Sequence, residues 1–121
     1  MSVYQVVAPA AAFTVTTTIS TGTFAACPTN VFQVDNTNAS VYAYVNVFTT
    51  NAAVANGFNH PATAGGQTGL SLCIPPSQSR ILVGDFAVTG GGQNLYVNYV
   101  TNSGTGSVIF TPISGQRPET L

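Results

Sequence analysis

The chain has 121 residues, enough for one domain with its own core, and 45% of them are hydrophobic, with seven Phe and five Tyr, which excludes intrinsic disorder. Only 4% are charged, against about a quarter in an ordinary soluble domain: there is no lysine, the bases are Arg80 and Arg117, and the acids are Asp35, Asp85 and Glu119. Two scattered arginines and a net charge of -1 exclude a basic patch for nucleic acid, and the lack of lysine excludes a phosphate-binding P-loop.

Apolar Val3, Tyr4, Val6 and Val7 precede Pro9, so residues 1–12 are expected to form an arm lying on a neighbouring subunit rather than a strand of their own domain. Phe13, Val15, Thr17 and Ile19 then alternate with Thr14, Thr16 and Thr18, the first clear strand, because β-branched threonine suits a half-exposed pleat. Residues 31–35 are another, with Phe32 and Val34 on one face. The turn formers Asn36-Thr37-Asn38-Ala39-Ser40 predict a hairpin to a return strand at 41–49. That strand places Val41, Ala43, Val45 and Val47 on one face and Tyr42, Tyr44, Asn46 and Phe48 on the other. One face can fill a core; the aromatic face must pack under a loop or meet a partner.

Residues 51–69 are a long aperiodic connection around Pro61. In the next strand Leu70, Leu72 and Ile74 point inward and Cys73 to the opposite face, until Pro75 and Pro76, with no N–H to donate, stop the ladder. A strand at 80–83 is expected, broken or bulged at Gly84-Asp85 and continued at 86–88. Residues 94–101 and 107–111 predict a closing hairpin across a Gly-containing turn. With no helical stripe anywhere, the expected fold is all-β: a single-domain β-sandwich of about seven or eight antiparallel strands, jelly-roll or immunoglobulin-like, over residues 13–111. Extended terminal segments at 1–12 and 112–121 flank it. Pro112, Gly115 and Pro118 preclude a long ladder in the tail, so a contact with a neighbouring subunit is expected to hold it.

No apolar run approaches the roughly 20 residues that span a bilayer, and Met1-Ser2-Val3-Tyr4-Gln5 lacks a basic n-region, so neither a membrane segment nor an export signal is expected. Cys27 and Cys73 are accordingly expected to be unbridged, with Cys73 off the main core. Two cysteines and His60 have no zinc-ligand spacing.

Chemistry is sparse. His60 and Asp85 with a serine could compose a triad, but no G-x-S-x-G elbow surrounds any serine. Asp35 and Asp85 could pair for glycoside cleavage, yet each is expected at a turn, accepting local backbone hydrogen bonds. Asp35-Asn36-Thr37-Asn38 fails the calcium-loop pattern at Thr37, Ala39 and Ser40. Asn38-Ala39-Ser40 matches a glycosylation sequon, read here as turn composition. Tyr42, Tyr44, Tyr96 and Tyr99 could stack on sugars, although tyrosine is equally an interface residue and the interface reading is preferred. No catalytic residue, cofactor or metal ligand is expected. Thr, Asn and Ser supply 36 of the 121 residues, and a neutral surface with so little charge repulsion is that of an assembly subunit.

The segments Val34-Asp35-Asn36-Thr37-Asn38-Ala39-Ser40-Val41-Tyr42-Ala43-Tyr44-Val45, Gly69-Leu70-Ser71-Leu72-Cys73-Ile74-Pro75-Pro76-Ser77-Gln78-Ser79-Arg80 and Ser103-Gly104-Thr105-Gly106-Ser107-Val108 with Thr111-Pro112 resemble small all-β virion proteins of tailed bacteriophages. The resemblance covers about residues 31–112 and carries over no catalytic residue. It implies a non-enzymatic capsid decoration or cement protein, or another minor structural subunit, located in the virion after assembly in the host cytoplasm. The expected partners are the major capsid protein or other virion subunits, and further copies of the chain in a homo-oligomer such as a trimer; nucleic acid and membrane are not expected. The candidate interface is Val3, Tyr4, Val6, Val7, Tyr42, Tyr44, Phe48, Tyr96, Arg117 and Leu121. The alternative is a small sandwich on a virion or cell surface that binds a glycan or receptor.

Overall fold

The computed structural model describes residues 5–49, 72–84, 86–88 and 90–114. Eight antiparallel strands form two four-stranded sheets, with no helix among the described residues, so the expected all-β sandwich is the observed one. The strands are β1 (Ala11–Val15), β2 (Ser20–Cys27), β3 (Val31–Asn36), β4 (Ala43–Phe48), β5 (Leu72–Ile74), β6 (Ser79–Val83), β7 (Gln93–Thr101) and β8 (Gly106–Pro112). The first sheet runs β1-β8-β3-β6 and the second β2-β7-β4-β5.

Both expected hairpins are overturned. β3 and β4 lie in different sheets, and so do β7 and β8. Pairing is nested instead: β1 with β8, β2 with β7, β3 with β6 and β4 with β5, as in one long ribbon doubled back on itself and rolled up. A short turn cannot choose between the two arrangements. Paired strands stand about 4.8 Å apart and packed sheets about 10 Å, and a few residues reach across either gap. The buried faces choose. Leu95, Val97 and Tyr99 of β7 and Val108 and Phe110 of β8 enter the same core from opposite sheets.

The strand expected from Phe13 through Ile19 stops at Val15, and the chain then crosses to the other sheet as β2. Sequence alternation did not show β2, because its inward positions are Gly22, Phe24 and Cys27 and only one of these is large. Cys27 faces inward because a bulge between Phe24 and Cys27 shifts the register against β7. Ala26 adopts φ 48° in that bulge, its N–H donating to Asn94 Oδ1 at 3.0 Å. Gly92 faces it with φ 86°, and a Cβ there would stand 2.5 Å from the Ala26 carbonyl oxygen. Position 92 therefore requires glycine on two counts.

The core is aliphatic around an aromatic chain. Val15, Val34, Val45, Ile74, Leu95, Val97 and Val108 are fully buried with Phe32 and Phe110. Phe13 stacks on Tyr99 at 4.9 Å between ring centroids and meets Phe110 edge-on at 5.7 Å; Phe32 continues the chain to Phe24 at 5.2 Å. Tyr99, grouped above with the sugar-stacking tyrosines, is thus a core residue, 6% exposed. The expected continuation of β6 at 86–88 is not a strand, since β6 ends at Val83.

The arm boundaries also change. Ala11 and Ala12 belong to β1, and Pro112 is the buried last residue of β8. The described part of the N-terminal segment lies on its own domain: Val7 N–H donates to Pro112 O at 3.0 Å, Ser114 N–H to Gln5 O at 2.7 Å, and Val6 bridges Ile113. The β1·β8 register would bring residue 8 opposite Ile113, but Val6 stands there. The ladder slips around Pro9, which has no N–H to contribute.

Candidate interaction surfaces

Three turn segments, at 36–40, 75–78 and 103–107, meet at one corner of the sandwich, held by two asparagines. Asn36, only 2% exposed, spans the gap between the sheets. Its Nδ2 donates to Val41 O at 2.8 Å, Ile74 O at 2.9 Å and Pro75 O at 3.2 Å. Its Oδ1 accepts from Asn38 N–H at 3.1 Å and Asn38 Nδ2 at 2.6 Å. Asn38 Oδ1 in turn accepts from Ser107 N–H at 2.8 Å, and Asn38 O from Ser77 N–H at 2.9 Å. Gly106 provides the room, because a Cβ there would collide with the Asn38 side-chain amide. The sequon asparagine is therefore a structural donor whose amide is already engaged, in keeping with turn composition. Composition marked this stretch as a turn; the burial and spanning role of Asn36 had no local signal.

Asp35 is not at a turn as expected. It lies within β3 opposite Ser79 and Ile109, and its carboxylate accepts from Gln33 Nε2 at 3.2 Å and from Ser79 Oγ, both side-chain donors. His60 and Asp85 lie outside the described residues. Among the described residues no three His, Cys, Asp or Glu side chains stand together as a metal site. Cys27 is buried and Cys73 exposed, both as free thiols, and Cys73 has the expected outward orientation.

Of the candidate interface residues, Val3, Tyr4, Arg117 and Leu121 lie outside the described residues. Val6 and Val7 are exposed beside Pro112 and Ile113. Tyr42 is exposed just before β4, while Tyr44, Phe48 and Tyr96 share the outer face of the second sheet, with Phe48 directly opposite Tyr96. Between these aromatics runs a polar row, Thr21, Asn98 and Asn46, in register across three strands. Thr21 Oγ1 donates to Asn98 Oδ1 and Asn98 Nδ2 to Asn46 Oδ1, each at 2.8 Å. Asn46 and Asn98 are 2% and 0% exposed, and Asn46 Nδ2 has no hydrogen-bond partner. We expect Asn46→Val to cost about 1–2 kcal/mol by stranding the Asn98 amide, and Asn46→Val/Asn98→Val to cost less than the sum of the two single changes. Urea unfolding of the four proteins in the cycle checks this; strict additivity would count against the row acting as a unit.

Burial pushes the Cys27 thiol up from its ordinary 9.0, partly offset by a backbone hydrogen bond at Thr29, and burial likewise raises Tyr99 from 10.0. Tyr44 is raised from 10.0 by burial first and then by neighbouring Cys73. All three groups lose their protons more readily in the unfolded chain. Their contribution to stability is therefore complete below pH 9.0, the lowest of the unfolded values, and is lost progressively at higher pH. Denaturant midpoints measured between neutral and strongly alkaline pH should fall above that point, and a flat profile would contradict the burial of these groups. No family model matches the chain, and no curated protein or solved structure matches it.

Proposed function

We propose that the chain is a non-enzymatic structural subunit of a tailed-phage particle, a decoration or cement protein that binds neighbouring capsid subunits. One observation carries the reading. Among the described residues only Asp35 and Arg80 are charged, yet Val6, Val7, Tyr42, Ile81 and Val83 are exposed, so the surface offers apolar contacts with little charge to repel a close neighbour. The nested strand pairing supports it, because we read that order as a jelly roll, an architecture used by viral capsid proteins. An immunoglobulin-like arrangement, with its seven-strand split, fits the two four-stranded sheets less well.

The experiment is antibody labelling of purified particles whose genome encodes the chain, together with deletion of its gene. The expected result is label over the shell and particles that assemble but burst at lower temperature. Unlabelled virions and unchanged heat resistance would overturn the reading. Jelly rolls also serve as lectins, so a glycan array belongs beside it: a defined sugar preference abolished by Tyr96→Ala would favour the glycan-binding alternative.

A further inference from the structure

Four strands border the two sheets, and three of them are blunted. β5 has three described residues and is stopped by Pro75 and Pro76, β2 carries the bulge at Ala26, and β1 is preceded by the slip at Pro9, with Val6 held against Ile113. β6 is different. It is a regular five-residue strand, paired with β3 on one side and with no strand among the described residues on the other. Its outward side chains include Ile81 at 37% and Val83 at 61% exposure, an apolar edge of the kind that soluble domains normally protect.

The hydrogen bonds define what that edge presents. Gly84 N–H donates to Asn30 O at 2.7 Å and Asn36 N–H to Gln78 O at 2.9 Å. Bonded pairs alternate along an antiparallel ladder, so in the register of β3 with β6 the groups of Arg80 and Leu82 face β3. The N–H and C=O groups of Ser79, Ile81 and Val83 therefore face away from it. One of them is already in use, the Ser79 carbonyl, which accepts from Arg80 Nη1 at 2.9 Å and retains a second lone pair.

We propose that the occupant of this edge is β6 of a second copy, paired antiparallel about a two-fold axis at Ile81. Centred there, Ile81 pairs with its counterpart and Ser79 with Val83, so all the outward-facing residues of the strand enter the ladder. A register shifted by two residues in either direction leaves one of them out. The side chains also agree. The two Ile81 side chains meet on one face. Arg80 falls opposite Leu82 of the other copy, where its aliphatic stem covers apolar surface and its guanidinium stays in water. No like charges stand directly opposite one another. The first sheets of the two copies would merge into one continuous sheet, a symmetric self-complementary contact. This goes beyond the particle-binding reading and does not rest on it.

The test is sedimentation velocity on the full chain between about 1 µM and 1 mM, a range that covers weak and moderate pairing, with hydrogen exchange read residue by residue. A concentration-dependent dimer is expected, in which the Ser79, Ile81 and Val83 amides are protected at high concentration alone and the Arg80 and Leu82 amides at all concentrations. Ile81→Lys should weaken association at least about tenfold by placing two ammonium groups on the axis. Ile81→Pro should do the same without disturbing the β3 ladder, since the lost N–H faces outward. Circular dichroism and melting of both variants establish that they remain folded. A monomer at every concentration, or a dimer that both folded variants leave intact, would overturn the proposal. A monomer whose Ile81→Lys variant stops binding particles would also overturn it and assign the edge to another virion subunit. A dimer that ignores particles would uphold the pairing and count only against the function proposed above.

Discussion

Asn36→Ala is expected to destabilise the fold by about 3–4 kcal/mol and to lower the melting temperature by about 10–20 °C, the largest effect of any polar substitution in the described residues. The reason is the number of groups left behind. The Asn36 amide supplies donors to three carbonyl oxygens, on Val41, Ile74 and Pro75, of which Pro75 O also accepts from Gln78 N–H at 3.3 Å, and its oxygen accepts from Asn38. A buried carbonyl without a partner costs about 1–3 kcal/mol, although water entering the emptied corner recovers part of this. Asn36→Asp should be at least as damaging, because a carboxylate has no donor to offer and faces those same oxygens. Asn102 is the control: it is exposed, its side chain accepts from Tyr42 N–H at 3.2 Å, and its backbone bond to Tyr42 O at 3.4 Å survives substitution, so Asn102→Ala should stay within about 1 kcal/mol of the parent. Thermal and urea unfolding of the three variants check the ranking. Equal losses for Asn36→Ala and Asn102→Ala would show that the corner is not a keystone.

Phe110→Ala should cost about 3–5 kcal/mol. Phe110 is fully buried, and its ring approaches Phe13 at 5.7 Å, Phe32 at 6.1 Å and Tyr99 at 6.3 Å. Rings from both sheets surround the void that alanine would leave, and the ladders on either side of β8 limit how far the backbone can collapse into it. Phe110→Leu, which keeps most of the volume, should cost less than about 2 kcal/mol. Denaturant unfolding of both variants measures the difference. A Phe110→Ala loss below that of Phe110→Leu would mean that the aromatic chain does not organise the core.

Period-two alternation made the strand class legible, and it located β3, β4, β6, β7 and β8 closely, because each carries two or more large apolar side chains on one face. β2 escaped, since Gly22 stands where an inward side chain would and the Phe13 ring of β1 occupies that space. Strand pairing escaped for another reason. The stretch from Asn36 to Ser40 has the composition of a hairpin turn, and the same residues serve a crossover between sheets; only the Asn36 amide, satisfied by carbonyls from β5 and its flank, distinguishes them. The outward aromatic set Tyr44, Phe48 and Tyr96 was legible from alternation, whereas the inward turn of Tyr99 required its partners to be placed. The place of β6 at the border of its sheet among the described residues was illegible, because strand order is set by pairing with distant chain.

The nested order has a consequence in time. Of the connections joining the eight described strands, only that from β4 to β5 stays within a sheet, and β1 finds its partner in β8, at the far end of the described chain. Every other pairing must wait for distant chain, and each long loop costs entropy before it gains contacts. The β4·β5 pair can close early, but the first sheet has no complete edge-to-edge ladder until β8 joins it. Folding should therefore be slow, leaving the valine- and phenylalanine-rich strands uncovered for longer than the apolar faces of a helical domain of equal length.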